Sequence, residues 1–540
     1  MSTKKRRDAS RSVFLLAFGS VLMMMAVLAA VSFLTGCSRT SVEGFSIISG
    51  SENETLEPII KEFADRQGIE ISIVYKGSVD IMLQLKDPGF AYDAVWPANA
   101  LWVTLGDTSR KVKHLTSIMT SPVAFGIRHS TAERLGYIGQ EVRVRDLLED
   151  IRSGELSFMM TSATQSNSGA SAYLGFLYAL AGNPDVLSME QLRSPQLREE
   201  IRTLLSGINR SSGSSGWLKD LFLSSNYEAM VNYEAVLIET NQALIATGRE
   251  PLYLVYPVDG TVLADSPLGY YDQGDADKEQ VFLDLQKHLL SEAVQKRIAG
   301  MGRRTGMAGL ASAYDPAVFR SEWGIQPERI LSPIRMPNEL VLSEALRLYQ
   351  TDFRKPSYTV FALDYSGSMA GEGAVQLKEA MNLLLDPERS STYMLQPGID
   401  DHIVVLPFSN RVLEVWDADG GDSTQLAALR DRIRLMEPGG GTDIYSPVIE
   451  GIKRIAKDQD HRNYINSVIL MTDGSSNAGR KFKDLELAFR DLGLDVPVFC
   501  IMFGAASREQ LDEIVNLTRA RVFDGRKDLV EAFRQVRGYN

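Results

Sequence analysis

The stretch Tyr358-Thr359-Val360-Phe361-Ala362-Leu363-Asp364-Tyr365-Ser366-Gly367-Ser368-Met369 decides how the second half of the chain is read. Its first six residues are aromatic, β-branched or aliphatic without alternation, the pattern of a strand covered on both faces. The strand stops on an aspartate followed by small hydroxyl residues. Working outward, a helix is expected from Val375 to Leu385 and a second apolar strand from His402 to Phe408, then the turn Pro438-Gly439-Gly440-Gly441-Thr442-Asp443. A helix across Val448 to Lys457 follows, and Val468-Ile469-Leu470-Met471-Thr472 runs into Asp473-Gly474. A helix from Phe482 to Leu492, a strand from Val496 to Phe503 and a capping box at Ser507-Arg508-Glu509-Gln510 complete the series. Strand alternating with helix predicts a doubly wound, mainly parallel α/β sheet whose strand ends gather along one edge. Asp364 and Asp473 each stand directly after an apolar strand, so that edge brings them together.

Two carboxylates facing a group of hydroxyls form a hard oxygen donor set, suited to magnesium or manganese and poorly suited to zinc or copper. Hydroxyl ligands add no charge, so two carboxylates just balance a divalent ion and leave it electrophilic. Asp364, Ser366, Ser368, Thr442 and Asp473 match the Asp-x-Ser-x-Ser, Thr and Asp motif, and the segment resembles von Willebrand factor A domains with their metal-ion-dependent adhesion site. Aspartates and serines end strands and cap helices in many proteins, which accounts for any one of these positions but not for five in three separated loops. The resemblance implies direct coordination of Mg2+ or Mn2+ by Ser366, Ser368 and Thr442, with Asp364 and Asp473 acting partly through water. It also implies an open octahedral position for a partner protein's acidic residue, and Asp443 is expected to support the ligands from behind.

Before this segment the chain again alternates strand and helix. Phe45-Ser46-Ile47-Ile48 and Ile69 to Tyr75 read as strands, with Thr55 to Arg66 helical between them. Ser121-Pro122-Val123-Ala124-Phe125-Gly126-Ile127, Tyr256-Pro257-Val258-Asp259-Gly260 and a helical stretch from Phe282 to Gly302, ending Arg303-Arg304-Thr305-Gly306, resemble the extracellular solute-binding proteins. That resemblance implies two lobes closing over a ligand by hinge motion, with crossovers near Ser121 to Ile127 and Val258 to Pro267. Loops that open helices offer free N–H groups to polar solutes, so Ser49 and Ser51, and Ser166, Ser168 and Ser171, are the candidate ligand-binding residues. Tyr233 and Glu234 are further candidates, and Ser, Asn and Gly also supply plain turns and N-caps. Ser211-Ser212-Gly213-Ser214-Ser215-Gly216 reads as a flexible surface loop.

The first residues are an address. Lys4, Lys5, Arg6, Arg7 and Arg11 precede an uncharged, mostly apolar run from Val13 to Leu34, the form of a secretory signal. The run is also long enough to cross a bilayer, which takes about 20 residues. Leu34-Thr35-Gly36-Cys37 resembles the bacterial lipobox, which implies lipidation at Cys37, the alternative being an uncleaved signal anchor. Either way the basic flank stays inside and the rest of the chain is expected on the extracytoplasmic face of the cell membrane. The expected division is 1–36 for the signal or anchor, 44–345 for a solute-binding-like domain, and 346–540 for a linker helix, amphipathic over Glu339 to Tyr349, and the von Willebrand factor A domain.

Composition narrows the function. The 540 residues carry a formal charge of -12 with 44% apolar and 23% charged residues, which describes globular protein without the clustered Lys and Arg that nucleic acid requires. Cys37 and Cys500 are the only cysteines and the five histidines are scattered, so neither a disulfide framework nor a zinc site is expected. Cys500, inside an apolar strand, reads as a core thiol. The glycines before Thr442 lack the Lys-Ser/Thr ending of a P-loop, and Asp364 to Ser368 is not a nucleophile elbow. The expectation is therefore a binding protein and not an enzyme, recognising a small solute in its cleft and a protein through its metal. The alternative expectation is the substrate-binding lipoprotein of an ABC importer, with the second domain as a docking module.

Overall fold

The computed structural model describes residues 44–306, 314–328, 331, 333–504, 506, 508–526 and 529–538. The apolar N-terminal run, Cys37 and the start of the capping box at Ser507 lie outside the described residues. Among the described residues no helix is long and apolar enough to cross a membrane.

Among the described residues three sheets carry the fold. The first begins with β1 (Phe45–Gly50), β2 (Ile71–Lys76), β3 (Ala94–Trp96) and β4 (Val112–Ser117). The chain then builds a second sheet from β5 (Ser121–Arg128), β6 (Phe158–Thr161), β7 (Ile208–Ser212), β8 (Ala229–Tyr233), β9 (Leu252–Val255) and β10 (Leu263–Ala264). It returns as β11 (Pro267–Tyr271), which lies between β3 and β4. The strand orders are β2-β1-β3-β11-β4 and β10-β5-β8-β6-β7, with β9 added on β5. Each sheet is the centre of one lobe.

The chain passes between the lobes at 118–120 and 265–266. The second crossover falls inside the expected stretch. The first lies just before Ser121 to Ile127, because that apolar run is β5 itself, buried and paired with β8 and β9. Beside these crossovers Arg304 donates two hydrogen bonds of 2.7 Å to Glu234, both side chains being at most 1% exposed. This buried pair, with both oxygens engaged, ties the chain after the helix Glu292–Gly300 to the second lobe beside the crossovers. The expected helix from Phe282 to Gly302 is two helices, Ala276–Leu289 and Glu292–Gly300, broken at Leu290 and Ser291. The Ser211 to Gly216 run is not a flexible surface loop. It ends β7 and opens the helix Ser215–Leu223, with Ser214 capping Trp217 N and Ser212 Oγ accepting from Ser214 N.

The third sheet contains β12 (Ser357–Asp364), β13 (His402–Phe408), β14 (Trp416–Asp419), β15 (Ile465–Thr472), β16 (Val498–Met502) and β17 (Val522–Asp524). Its order is β14-β13-β12-β15-β16-β17, parallel apart from the antiparallel edge strand β14. Every residue of β12 is buried. Phe361 and Leu363 enter the core on one face, with Leu377 and Met381, while Val360 and Ala362 enter the core on the other, with Val448 and Ile452. β13 and β15 flank β12 on opposite sides, so the carboxyl end of β12 is a topological switch point.

The segment joining the second and third sheets is part of the packed core. Val341, Leu342, Ala345 and Leu346 of the helix Glu339–Leu348 are buried among second-lobe residues, and Tyr173 Oη donates to the Ala345 carbonyl at 2.8 Å. One turn further on, Gln350 Nε2 donates to the Gln396 carbonyl at 3.1 Å and Ile399 N to the Thr351 carbonyl at 2.9 Å.

Candidate functional site

The loop leaving β12 is organised by Asp364. Its fully buried carboxylate accepts from Ser366 N at 2.7 Å and from Thr472 Oγ1 at 2.6 Å. Ser366 Oγ lies 3.1 Å from Ser368 Oγ, and Ser368 Oγ donates to Asp473 Oδ1 at 2.9 Å. Thr442 is brought in by its glycine-rich turn, which holds the Gly367 N–H on the Gly440 carbonyl at 3.0 Å, while Asn477 Oδ1 accepts from Thr442 N at 3.0 Å. A methyl group built on Gly474 would lie 3.1 Å from Ser368 Oγ and 3.5 Å from Thr442 Oγ1, so the two hydroxyls face one point. All five side chains singled out in the sequence meet at the carboxyl ends of β12 and β15.

Burial pushes the Asp364 carboxyl above its usual range against the hydrogen bonds of Thr472 and Ser366, and Asp473 adds repulsion. Burial also raises Asp473 against its bond from Ser368. Such a pair calls for a counter-charge. An octahedral ion with oxygens at about 2.0–2.1 Å sets neighbouring ligand atoms about 2.9–3.0 Å apart. The Ser366–Ser368 and Ser368–Asp473 separations, 3.1 and 2.9 Å, are hydrogen bonds of about that span, and it is the hard oxygen chemistry of the donors that suits a divalent cation.

The cleft between the first two sheets is closed. Val79 N donates to the Gln165 carbonyl at 3.0 Å and Trp102 Nε1 to Asn167 Oδ1 at 2.7 Å, both across the lobes. Ser49 Oγ turns toward the Trp96 carbonyl and accepts from Asn53 in its own lobe, while Ser51 Oγ accepts from Gly216 N across the cleft at 3.4 Å. Ser166 and Ser168 meet Ser215 Oγ at 3.3 and 2.8 Å in a buried hydroxyl cluster, and Ser171 Oγ is buried without a partner. The five serines therefore form no single group. Tyr233 accepts from Asn167 at 3.0 Å, and Glu234 is committed to Arg304.

Two cavities lie along this cleft. The inner one, of about 20 Å³, is lined by Glu52, Ser121, Tyr233, Ser266 and Arg303 and has room for one water. Glu52 Oε1 and Ser266 Oγ are sealed off there without a partner, and burial pushes the Glu52 carboxyl up to about 7. The outer one, of about 420 Å³, is lined among others by Ser51, Lys76, Gln165, Trp217, Arg521 and Gln535. Of the five candidate serines, Ser51 alone lines either cavity.

The family model of the bacterial extracellular solute-binding proteins matches residues 47–304, and that of the von Willebrand factor type A (VWA) domain matches residues 359–532. The chain carries a solute-binding domain followed by a VWA domain. Among curated proteins it is 29% identical over 130 residues to inter-alpha-trypsin inhibitor heavy chain H2 of Homo sapiens, covering 23% of this chain and 13% of that one. It is 27% identical over 169 residues to the uncharacterized protein sll0103 of Synechocystis, covering 31% and 36%. This chain thus spans well under half the length of these relatives. Among solved structures, the sulfate-binding protein SubI of Mycobacterium tuberculosis is similar at 17% identity and TM-score 0.39, over 56% of this chain and 96% of that one. A von Willebrand factor type A protein of Catenulispora acidiphila is similar at 19% identity and TM-score 0.29, over 34% and 43%.

Within the VWA domain, three residues at the site carry no signal in the motif. Thr472, Asn477 and Gly474 hold Asp364, hold Thr442 and leave space between the hydroxyls, respectively. Thr472 was within reach of sequence reasoning, since aligning the carboxyl ends of the two central strands sets it beside Asp364. Asp443 accepts from Tyr445 N, Ser446 N and Ser446 Oγ at the start of the helix Tyr445–Lys457, and from Arg480 N in the loop after β15 that also carries Asn477.

Proposed function

We propose that this protein is a membrane-anchored extracytoplasmic binding protein. Its solute-binding domain takes a small solute in the interlobe cleft, and its VWA domain contacts an acidic group of a partner protein through Mg2+ or Mn2+ held by Asp364, Ser366, Ser368, Thr442 and Asp473. The observation that carries this reading is the meeting of those five side chains, drawn from three loops, with oxygen separations of 2.9 and 3.1 Å among Ser366, Ser368 and Asp473. Asp364 and Thr472 fix the floor of the site, and Ser366, Ser368 and Asp473 form its rim. A bound divalent ion supplies an electrophilic seat for an incoming carboxylate. Both domains are of non-enzymatic families. Anchoring at Cys37 accords with the extracytoplasmic setting of the solute-binding family.

Calorimetric titration with magnesium and manganese chloride tests the metal. One-to-one binding is expected, and Ser368→Ala should weaken it at least about tenfold while leaving the far-ultraviolet circular dichroism unchanged. Absence of binding by the native protein would remove the adhesion half of the reading. Thermal-shift screening with small polar solutes tests the other half, because a ligand of the native state raises its midpoint.

A further inference from the structure

The outer cavity has three walls, and one of them is not part of the solute-binding domain. Ser51 and Lys76 belong to the first lobe and Gln165 and Trp217 to the second, while Arg521 and Gln535 come from the VWA domain. The helix Leu529–Gly538 is laid across the mouth of the cleft. On the first-lobe side, Glu531 pairs with Lys76 and the Arg534 guanidinium pairs with Asp80. On the second-lobe side, Gln165 Nε2 donates to the carbonyl of Arg534. Arg534 therefore touches both lobes, and Asp80, Gln165 and Arg534 are each at most 5% exposed. Further contacts anchor the VWA domain to the second lobe: Arg210 Nη2 donates to the Arg519 carbonyl at 3.0 Å, and Tyr227 Oη donates to Asp495 at 2.9 Å.

Hinge opening moves Asp80 and Gln165 apart, and one residue cannot follow both. The second-lobe contacts hold the VWA domain to that side, so opening must pull Asp80 and Lys76 off the helix. The charges so exposed lose their partners, which opposes opening. We propose that the VWA domain is the latch of the solute cleft: the helix Leu529–Gly538 staples the two lobes shut, and solute can exchange only when that helix leaves its first-lobe seat. Solute affinity and anything that shifts the VWA domain are then linked in both directions. This inference rests on reading the first domain as a cleft that opens. It does not depend on metal binding.

The test is fluorescence energy transfer on the full chain with Cys37→Ser, using dyes on Lys61→Cys and Glu133→Cys to report the distance between lobes. A second pair, on Glu133→Cys and Glu437→Cys, reports the seat of the VWA domain. Arg534→Glu, which sets two carboxylates against each other, should raise the ratio of open to closed molecules about tenfold or more. Glu531→Lys, a milder change at the rim, should act in the same direction. Adding Asp80→Arg to Arg534→Glu should restore the closed distance. If the lobes stay closed in both single variants, whether or not the Glu133–Glu437 distance lengthens, the latch is overturned. Loss of magnesium binding in Ser368→Ala would leave this outcome untouched, so the two readings fail separately.

Discussion

Glu52 shows how far a single side chain can be pushed by its setting. Its Oε1 is buried without a protein partner beside the inner cavity, and burial, opposed by a backbone hydrogen bond and by Arg303, lifts its carboxyl to about 7. The folded state then holds a proton that the unfolded chain releases near its ordinary value. This group's contribution is fully present at acid pH and declines as pH rises from about 4.5 to about 7. Glu52→Gln should flatten that part of the profile and raise stability at pH 8 by roughly 1–3 kcal/mol, as read by urea unfolding at several pH values. The sequence marked the stretch Ser49 to Asn53 for its hydroxyls and amides and gave Glu52 no role of its own, since a glutamate after a strand is ordinarily solvated. The meeting of Asp364, Ser366, Ser368, Thr442 and Asp473 was legible for the opposite reason: these residues combine residue type, spacing and strand context. The candidate serines had residue type and a place in helix-opening loops but no fixed spacing: Ser166 and Ser168 bond with Ser215, Ser49 bonds within its own lobe, Ser171 is buried without a partner, and Ser51 alone of them lines the outer cavity.

The helix Asn167–Leu180 illustrates what an element can hide. It is buried along almost all of its length, and two of its glycines lie against backbone. A Cβ on Gly169 would come within 2.0 Å of the Thr161 carbonyl oxygen, and one on Gly175 within 2.1 Å of the Gly260 carbonyl oxygen. Neither neighbour is a side chain that can swing away. Gly175→Ala should therefore lower stability by about 2–3 kcal/mol in spite of alanine's better helix propensity, measured by denaturant unfolding. The four central strands of the third sheet were readable because covering on both faces leaves continuous apolar runs, whereas the short, half-exposed edge strands β14 and β17 left no such run. The serine-rich 211–216 was not, because a flexible linker and a strand end feeding an N-cap have the same composition. The break at Leu290 and Ser291 escaped for a related reason: helical spacing continues across it, so periodicity alone reads one helix.

At the scale of the molecule the decisive contacts join residues hundreds of positions apart, which is why no sequence pattern announced them. Asp495 meets Tyr227 at 2.9 Å and Arg210 at 3.5 Å across the boundary between the second lobe and the VWA domain. Burial raises its carboxyl, but Arg210 and Arg519 outweigh this and hold it below the usual carboxylate range. Its stabilisation is therefore present above the unfolded value, about 4, and is lost as pH falls below it. Acid titration of the thermal midpoint should show this loss, and Asp495→Asn should lack that component while starting less stable at neutral pH. Two domains, their order and their fold class could be read from residue patterns. How the second domain is seated on the first could not, because that arrangement depends on pairings no local signal records.

Lys76 and Glu531 are 455 residues apart in the chain. A ribosome adding about 5–20 residues per second needs roughly 20–90 s to travel from one to the other. Both lobes are complete only once the chain has reached about residue 304, and for the rest of that interval they exist without the helix Leu529–Gly538. On the latch proposed above, newly made molecules thus pass through a period in which the cleft is unguarded.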